Sequence, residues 1–239
     1  MKFRKLFSVL TAFTTALLVL TGSIAVPILC RPFYYAHIEA LHLPENTGLS
    51  AAQIRQAFDE MLDFCLGLRE DFSAGVLIWS ESGRSHFADV RGLFQLDLIL
   101  LVFSAVGLLL LLLIGRKKQI VPARLLGRGP GFWAAAGLMA VILVVGVLAA
   151  LDFQTAFVVF HTLFFPGKTN WIFDWRTDPI ILLLPETFFQ NCAILILALV
   201  VFWCIVLMAA DVFAGHRGQR KCSVACVSLQ KESPDCKLK

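Results

Sequence analysis

Two histidines, His86 and His161, carry most of the chemistry this sequence offers. Imidazole titrates near neutrality, so each ring can take or give a proton while a bond is made or broken. His86 stands in Ser85-His86-Phe87-Ala88-Asp89-Val90-Arg91, and His161 opens a segment that reaches Asn170-Trp171 and Asp178-Pro179. Carboxylates within or just beyond these segments, Asp89, Asp97 and Asp178, are suited to orienting an imidazole and fixing its tautomer, while Arg91 or Asn170 could steady a developing oxyanion. Other chemistries find less support. Ser85, beside His86, lies in no motif that marks a serine nucleophile. Gly167-Lys168-Thr169 looks like the end of a phosphate loop, but Thr162 occupies the place of the required first glycine. His86, Asp89 and His161 are ligand types that suit zinc, yet their spacing matches no established metal motif, so no metal ligand is assigned.

The elements that must position these residues are membrane helices. A chain of 239 residues with 58% hydrophobic content belongs in lipid. Crossing a hydrocarbon core of about 30 Å takes roughly 20 apolar residues, and four stretches reach that length: Leu6 to Leu29, Leu93 to Ile114, Phe132 to Leu151 and Thr187 to Phe213. Ser23-Ile24-Ala25 would offer a signal-peptide cleavage site, but the first run is long for a signal segment and reads as an uncleaved span. The expected class is an all-α integral membrane protein, with residues 1–213 as a single membrane domain and 214–239 as a disordered tail.

Most of the 21 basic residues fall before the first span, in the short middle segment (Arg116, Lys117, Lys118, Arg124, Arg128) or in the tail. Lys and Arg are retained on the cytoplasmic side, so both termini are expected inside. The segments 30–92 and 152–186 then face outward with His37, His42, His86 and His161. The net charge of +4 reflects this topology and gives no reason to expect nucleic acid. The seven cysteines are scattered: Cys30 and Cys65 outside, Cys192 and Cys204 in the last span, and Cys222, Cys226 and Cys236 in the tail. They form no disulfide framework.

In the first outer segment, Ser50 with Gln53 fits a capping box, and Ile54, Phe58, Met61, Leu62 and Cys65 recur at helical spacing. This amphipathic helix is expected to cap the bundle, lying on the bilayer surface or packing on the spans. If the second span's helix starts early, His86, Asp89, Leu93 and Asp97 share one face, and a polar stripe descends into the bundle. Asp97 is then an inward-facing ionisable group within the membrane, where such groups usually meet a partner or a wet cavity. The second outer segment mixes Trp171, Trp175 and phenylalanines with polar groups, as befits the headgroup level. Asp178-Pro179 reads as a helix cap with a first-turn proline.

The run Ser85-His86-Phe87-Ala88-Asp89-Val90-Arg91-Gly92-Leu93-Phe94, together with Phe160-His161, Asn170-Trp171, Thr177-Asp178-Pro179 and Pro185-Glu186-Thr187-Phe188-Phe189, resembles the lipoprotein intramolecular transacylases of Gram-positive bacteria. The likeness takes in the four spans, the long first outer segment and the compact second one. Phe87 departs from the methionine common in the family, and the tail after Asp211 lies outside the resemblance. It implies an acyltransferase of the bacterial cell membrane, active at the extracellular face. Such an enzyme moves the sn-2 acyl chain of a lipoprotein's S-diacylglyceryl group to the α-amine of its N-terminal cysteine, giving the lyso form. On this reading His86 and His161 are the catalytic acid and base, in either order, and Asp89, Arg91, Asp97, Asn170 and Asp178 support them. The partners are diacylated lipoproteins and membrane phospholipid, and no cofactor is implied. Two other classes fit the residues: a non-catalytic lipid or lipoprotein binder, and a metal-dependent membrane hydrolase.

Overall fold

The structure, a computed structural model, describes the backbone of residues 2–232 and the side chains of residues 2–214. In chain order its helices are α1 (Lys2–Leu29), α2 (Arg31–Ala40), α3 (Leu43–Thr47), α4 (Ala51–Leu66), α5 (Glu81–Lys117), α6 (Pro130–Leu151), α7 (Phe153–Phe164) and α8 (Glu186–Glu232), with a 3-10 turn at Pro179–Leu183 before α8. Among the described residues there is no strand. Four helices, α1, α5, α6 and the Glu186–Ala214 part of α8, are long and apolar enough to cross a membrane.

Helix α1 is the common partner of α5, α6 and α8. Between Phe7 and Ile28, which are also buried, its contact surface is made of small and hydroxylated residues: Thr15, Thr21, Ser23 and Ala25. The three hydroxyls donate to carbonyls one turn back, Thr15 to Thr11 at 2.7 Å, Thr21 to Leu17 at 2.8 Å and Ser23 to Val19 at 2.7 Å. Side chains that are small and satisfied within their own helix let neighbouring backbones approach closely in lipid. Large apolar groups on the spans, such as Phe103, Ile99 and Leu143, point outward instead, since hydrocarbon accepts them at no cost.

The largest buried apolar cluster therefore lies at one end of the bundle. It joins α2, α3, α4, the start of α5, the 3-10 turn and the start of α8 through Tyr34, Ile54, Phe58, Phe87, Leu183 and Phe188. Tyr34 stacks on Phe58 with ring centroids 3.6 Å apart and donates its hydroxyl to the Leu183 carbonyl at 2.9 Å. The capping box of α4 is formed: Gln53 N–H donates to Ser50 Oγ and Ser50 N–H donates to Gln53 Oε1. Ile54, Phe58, Met61, Leu62 and Cys65 are buried, and Gly67 ends the helix in the left-handed region at φ 80°. The apolar face of α4 is thus covered by the cap's own residues and α5.

Three boundaries differ from the sequence expectation. Helix α5 begins at Glu81, twelve residues before the apolar run, because Ser80 caps it by accepting the Gly83 N–H at 3.0 Å. The second outer segment opens with helix α7, which the interfacial reading of its aromatics did not include; Asp152 caps it, accepting the Thr155 N–H at 3.0 Å. Helix α8 runs on to Glu232, past the expected end of the last span and into the segment expected to be disordered. Cys222, Cys226 and Cys236 lie outside the described side chains.

At the end of the bundle away from the cap, the N-terminus, the middle segment and the end of the last span are tied together. Arg4 donates to the Val121 carbonyl at 2.7 Å, and Asp211 accepts from Arg124 and from the Gly129 N–H, each at 3.0 Å.

Candidate active site

His86 sits in the second turn of α5 and His161 in the last turn of α7. The structure brings them face to face, with ring centroids 5.9 Å apart and planes inclined by 31°. Both are almost fully buried, at 5% and 7% exposure. An aromatic cage surrounds them: Phe165 and Phe173 meet His86 edge-on at 5.1 and 5.4 Å, while Trp171 stacks on His161 at 4.7 Å and Phe157 lies against it at 4.1 Å.

This cage sets the protonation state. Burial pushes His86 down to about 4, with the positive charge that His161 and Lys168 can carry acting in the same direction and Asp89 acting against it. His161 is also lowered, by burial, which outweighs its hydrogen bond to Phe157. Both imidazoles are therefore neutral at pH 7. His161 Nδ1 lies 2.8 Å from the Phe157 carbonyl oxygen. A carbonyl only accepts, so Nδ1 carries the proton and Nε2 keeps its lone pair. His86 Nδ1 is buried without a hydrogen-bond partner.

Among the described residues neither histidine is held by a carboxylate. Asp89, one turn beyond His86, instead binds the second outer segment, accepting from Lys168 Nζ at 2.6 Å and from Asn170 Nδ2 at 3.1 Å. Burial opposes its charge, but those two hydrogen bonds and the Lys168 ammonium hold the carboxyl below its usual range. Asn170 Nδ2 also reaches toward Ser85 Oγ at 3.4 Å. Asp178, although it precedes Pro179, makes no side-chain cap on the 3-10 turn. It accepts from the Ser80 N–H at 2.8 Å and from the hydroxyls of Ser80 and Thr177, each at 2.7 Å, so it fixes the start of the helix that carries His86. Arg91 points away from the pair, donating to the Arg69 carbonyl at 3.3 Å and lying 5.3 Å from the centre of the Phe64 ring. Asp97 is half-buried farther along the same face of α5, with Oδ2 unpartnered.

Sequence reasoning passed over the cage residues Phe157, Phe165 and Phe173, and it passed over Ser80 and Lys168 as anchors. Ser80, followed three residues on by a glycine at the head of a polar-to-apolar run, was the readable signal for the α5 cap. The cage lies within the aromatic-rich stretch from Phe157 to Phe173, but which of those rings meet the imidazoles depends on how the loop after α7 folds back, and spacing does not tell that.

A cleft of about 380 Å³ lies on the far side of Phe165 and Asp89, with Asp89 and Lys168 at its polar part and Gly92, Leu93, Phe164 and Phe165 along its apolar part; neither histidine lines it. A metal centre built on His86, Asp89 and His161 would need the carboxylate that Lys168 and Asn170 already occupy. Among the described residues no group of three His, Cys, Asp or Glu side chains is arranged to hold a metal ion.

A family model described as lipoprotein intramolecular transacylase Lit matches residues 9–189. Among solved structures, the membrane-integral lipoprotein intramolecular transacylase of Bacillus cereus superposes with a TM-score of 0.80 at 21% identity, covering 92% of this chain and 99% of that one. Two forms of the Bacillus cereus protein with one histidine substituted also match. The arginine form has a TM-score of 0.75 at 20% identity, with 92% and 95% covered. The alanine form has a TM-score of 0.76 at 19% identity, with 92% and 96% covered. No curated protein sequence matches. The structural likeness carries the fold, a four-span membrane protein with a helical cap, and the family match runs through both histidine segments and most of the chain. On that match the chain belongs to the lipoprotein intramolecular transacylases, and it is a multi-pass membrane enzyme of that family.

Proposed function

We propose that this enzyme moves the sn-2 acyl chain of a lipoprotein's S-diacylglyceryl group to the α-amine of the same N-terminal cysteine, using His86 and His161 as a proton-transfer couple. The observation that carries this reading is the pair itself: two neutral, buried imidazoles 5.9 Å apart, one of them locked in a single tautomer. His161 Nε2 takes a proton from the amine as its nitrogen attacks the ester carbonyl carbon. The tetrahedral centre then collapses, the bond from carbon to the sn-2 glycerol oxygen breaks, and that oxygen leaves with a proton. The net movement is one acyl group from oxygen to nitrogen and one proton from nitrogen to oxygen.

The pair handles one proton at a time, because charge on one ring disfavours charge on the other. His86, which burial makes the weaker base, is by the same token the stronger acid once protonated. It is the member suited to deliver the proton, passed to it from His161, to the leaving oxygen, so that both rings end neutral again. The substrate supplies its own nucleophile, so the lack of an activated serine is no obstacle. The cleft supports the reading too, since its polar part borders Asp89 and Lys168 and its apolar part suits acyl chains.

The site then faces the outer leaflet, where diacylated lipoproteins are anchored. The basic middle segment gathered at the opposite end of the bundle supports a cytoplasmic placement of both termini.

Mass spectrometry of an N-terminal lipopeptide from cells with and without the protein tests this directly. The expected product carries one acyl chain on nitrogen and one on glycerol. Both chains remaining on glycerol in the two samples, or one lost to water, would overturn the reading.

A further inference from the structure

Asn170 was one candidate for holding the oxyanion, beside Arg91, yet its amide is turned the wrong way for that task. A carboxylate cannot donate, so the 3.1 Å contact with Asp89 fixes Nδ2 on the Asp89 side, and the second Nδ2 proton is directed toward Ser85. The atom left over is an acceptor: Asn170 Oδ1 is buried with no hydrogen-bond partner. The amide cannot flip to satisfy it without bringing oxygen against the Asp89 carboxylate, which Lys168 holds in place. Buried acceptors in folded proteins are almost always paired, so an orphaned one needs an explanation, and a donor that arrives with the ligand supplies it.

The surroundings say which donor. Asn170 adjoins Trp171, whose ring stacks on His161, and it spans Ser85 and Asp89, the residues flanking His86 on α5. Asn170 thus lies against the turn of α5 that carries His86 and next to the ring stacked on His161. The reacting substrate brings one strong donor to that place, the α-amine or ammonium of its N-terminal cysteine, whose N–H groups exceed the one proton a base removes.

We infer that Asn170 Oδ1 accepts an N–H of the substrate's α-amine, holding the nitrogen beside the imidazole pair, and that Lys168 and Asp89 act as positioning residues that keep the amide turned for this purpose. The inference rests on the O-to-N transfer reading and deepens it, making Asn170 the residue that selects a free N-terminus.

Binding to purified, full-length protein in detergent separates this role from a structural one. The probes are two dialkylglyceryl-cysteinyl peptides whose ether links cannot transfer, one with a free α-amine and one N-acetylated. Wild-type protein is expected to prefer the free amine by about 10-fold to 100-fold, the range for a hydrogen bond to a charged group. Asn170→Leu should abolish the preference while binding the acetylated peptide as before. Equal weakening of both peptides in Asn170→Leu, or a preference that survives in it, overturns the inference. Since these probes never turn over, an intact amine preference in a protein that transfers no acyl chain would sink the transfer reading alone.

Discussion

A β-carbon built on Gly83 would lie 2.1 Å from Asp178 Oδ1 and 3.2 Å from the Phe173 ring. The Asp178 carboxylate cannot swing aside freely, because Ser80 and Thr177 hold both of its oxygens. Gly83→Ala is therefore expected to destabilise the protein by about 1–3 kcal/mol, as overpacking does. It should also slow acyl transfer, since the displaced helix turn carries His86. Adding Asp178→Ala should relieve the clash, leaving the double variant less destabilised than the two single changes summed. Melting temperatures of the three variants in detergent check this; strict additivity would remove the proposed contact.

The couple of His86 and His161 should fail as a unit. Loss of a proton-transfer group costs ~10²-fold to 10⁴-fold in rate, so His86→Ala and His161→Ala should each fall by that much in transfer of a synthetic diacyl lipopeptide. The double variant should be barely worse than the poorer single one, because residues that act together are not additive. Multiplicative losses would mean two independent contributions and no shared proton path.

His86 also makes stability depend on pH. Its folded value is near 4 against an ordinary 6.5, so between these values the unfolded chain binds more protons and stability rises with pH. The contribution is complete above pH 6.5 and is lost as pH falls toward 4, at most about 3 kcal/mol. His161 acts in the same direction. His86→Phe, which keeps an aromatic ring in the cage, should flatten the fall in melting temperature between pH 7 and pH 4.5. An unchanged slope would show that the imidazole is not the group being titrated.

The contrast between His86 and its cage shows what one sequence can carry. Hydropathy and charge located the four spans, and the 3.6-residue period placed His86, Asp89 and Asp97 on one face of α5, because these are local properties of a chain in lipid. The meeting of His86 with His161 depended on how the end of α7 comes to lie beside the start of α5, and α7 itself was hidden in a run of aromatics that suits an interfacial segment equally well. The roles of the polar neighbours were harder still. Asp89 and Asp178 were plausible partners for an imidazole and Arg91 for an oxyanion, and each bonds elsewhere: to Lys168 and Asn170, to Ser80, and to the Arg69 carbonyl. Residue type limits what a side chain can bond to, while direction along the helix decides which bond it makes. Asn170 is the sharpest case, since the same amide offers a donor or an acceptor according to how Asp89 turns it.

Arg91 separates support of the cap from support of the chemistry. It is five residues beyond His86, on a different face of α5, and its guanidinium lies over Phe64 and against the C-terminal end of α4. Removing it loses a cation–π contact and a hydrogen bond to a carbonyl, together about 1–2 kcal/mol at a partly exposed site. Arg91→Leu should accordingly lower the melting temperature by a few degrees. The transfer rate per folded molecule should stay within about 3-fold of wild type, far from the loss expected for a proton-transfer group. Transfer kinetics normalised to the folded fraction decide the matter. A fall of 100-fold or more with an unchanged melting temperature would put Arg91 at the reacting ester, as the resemblance to the family first allowed.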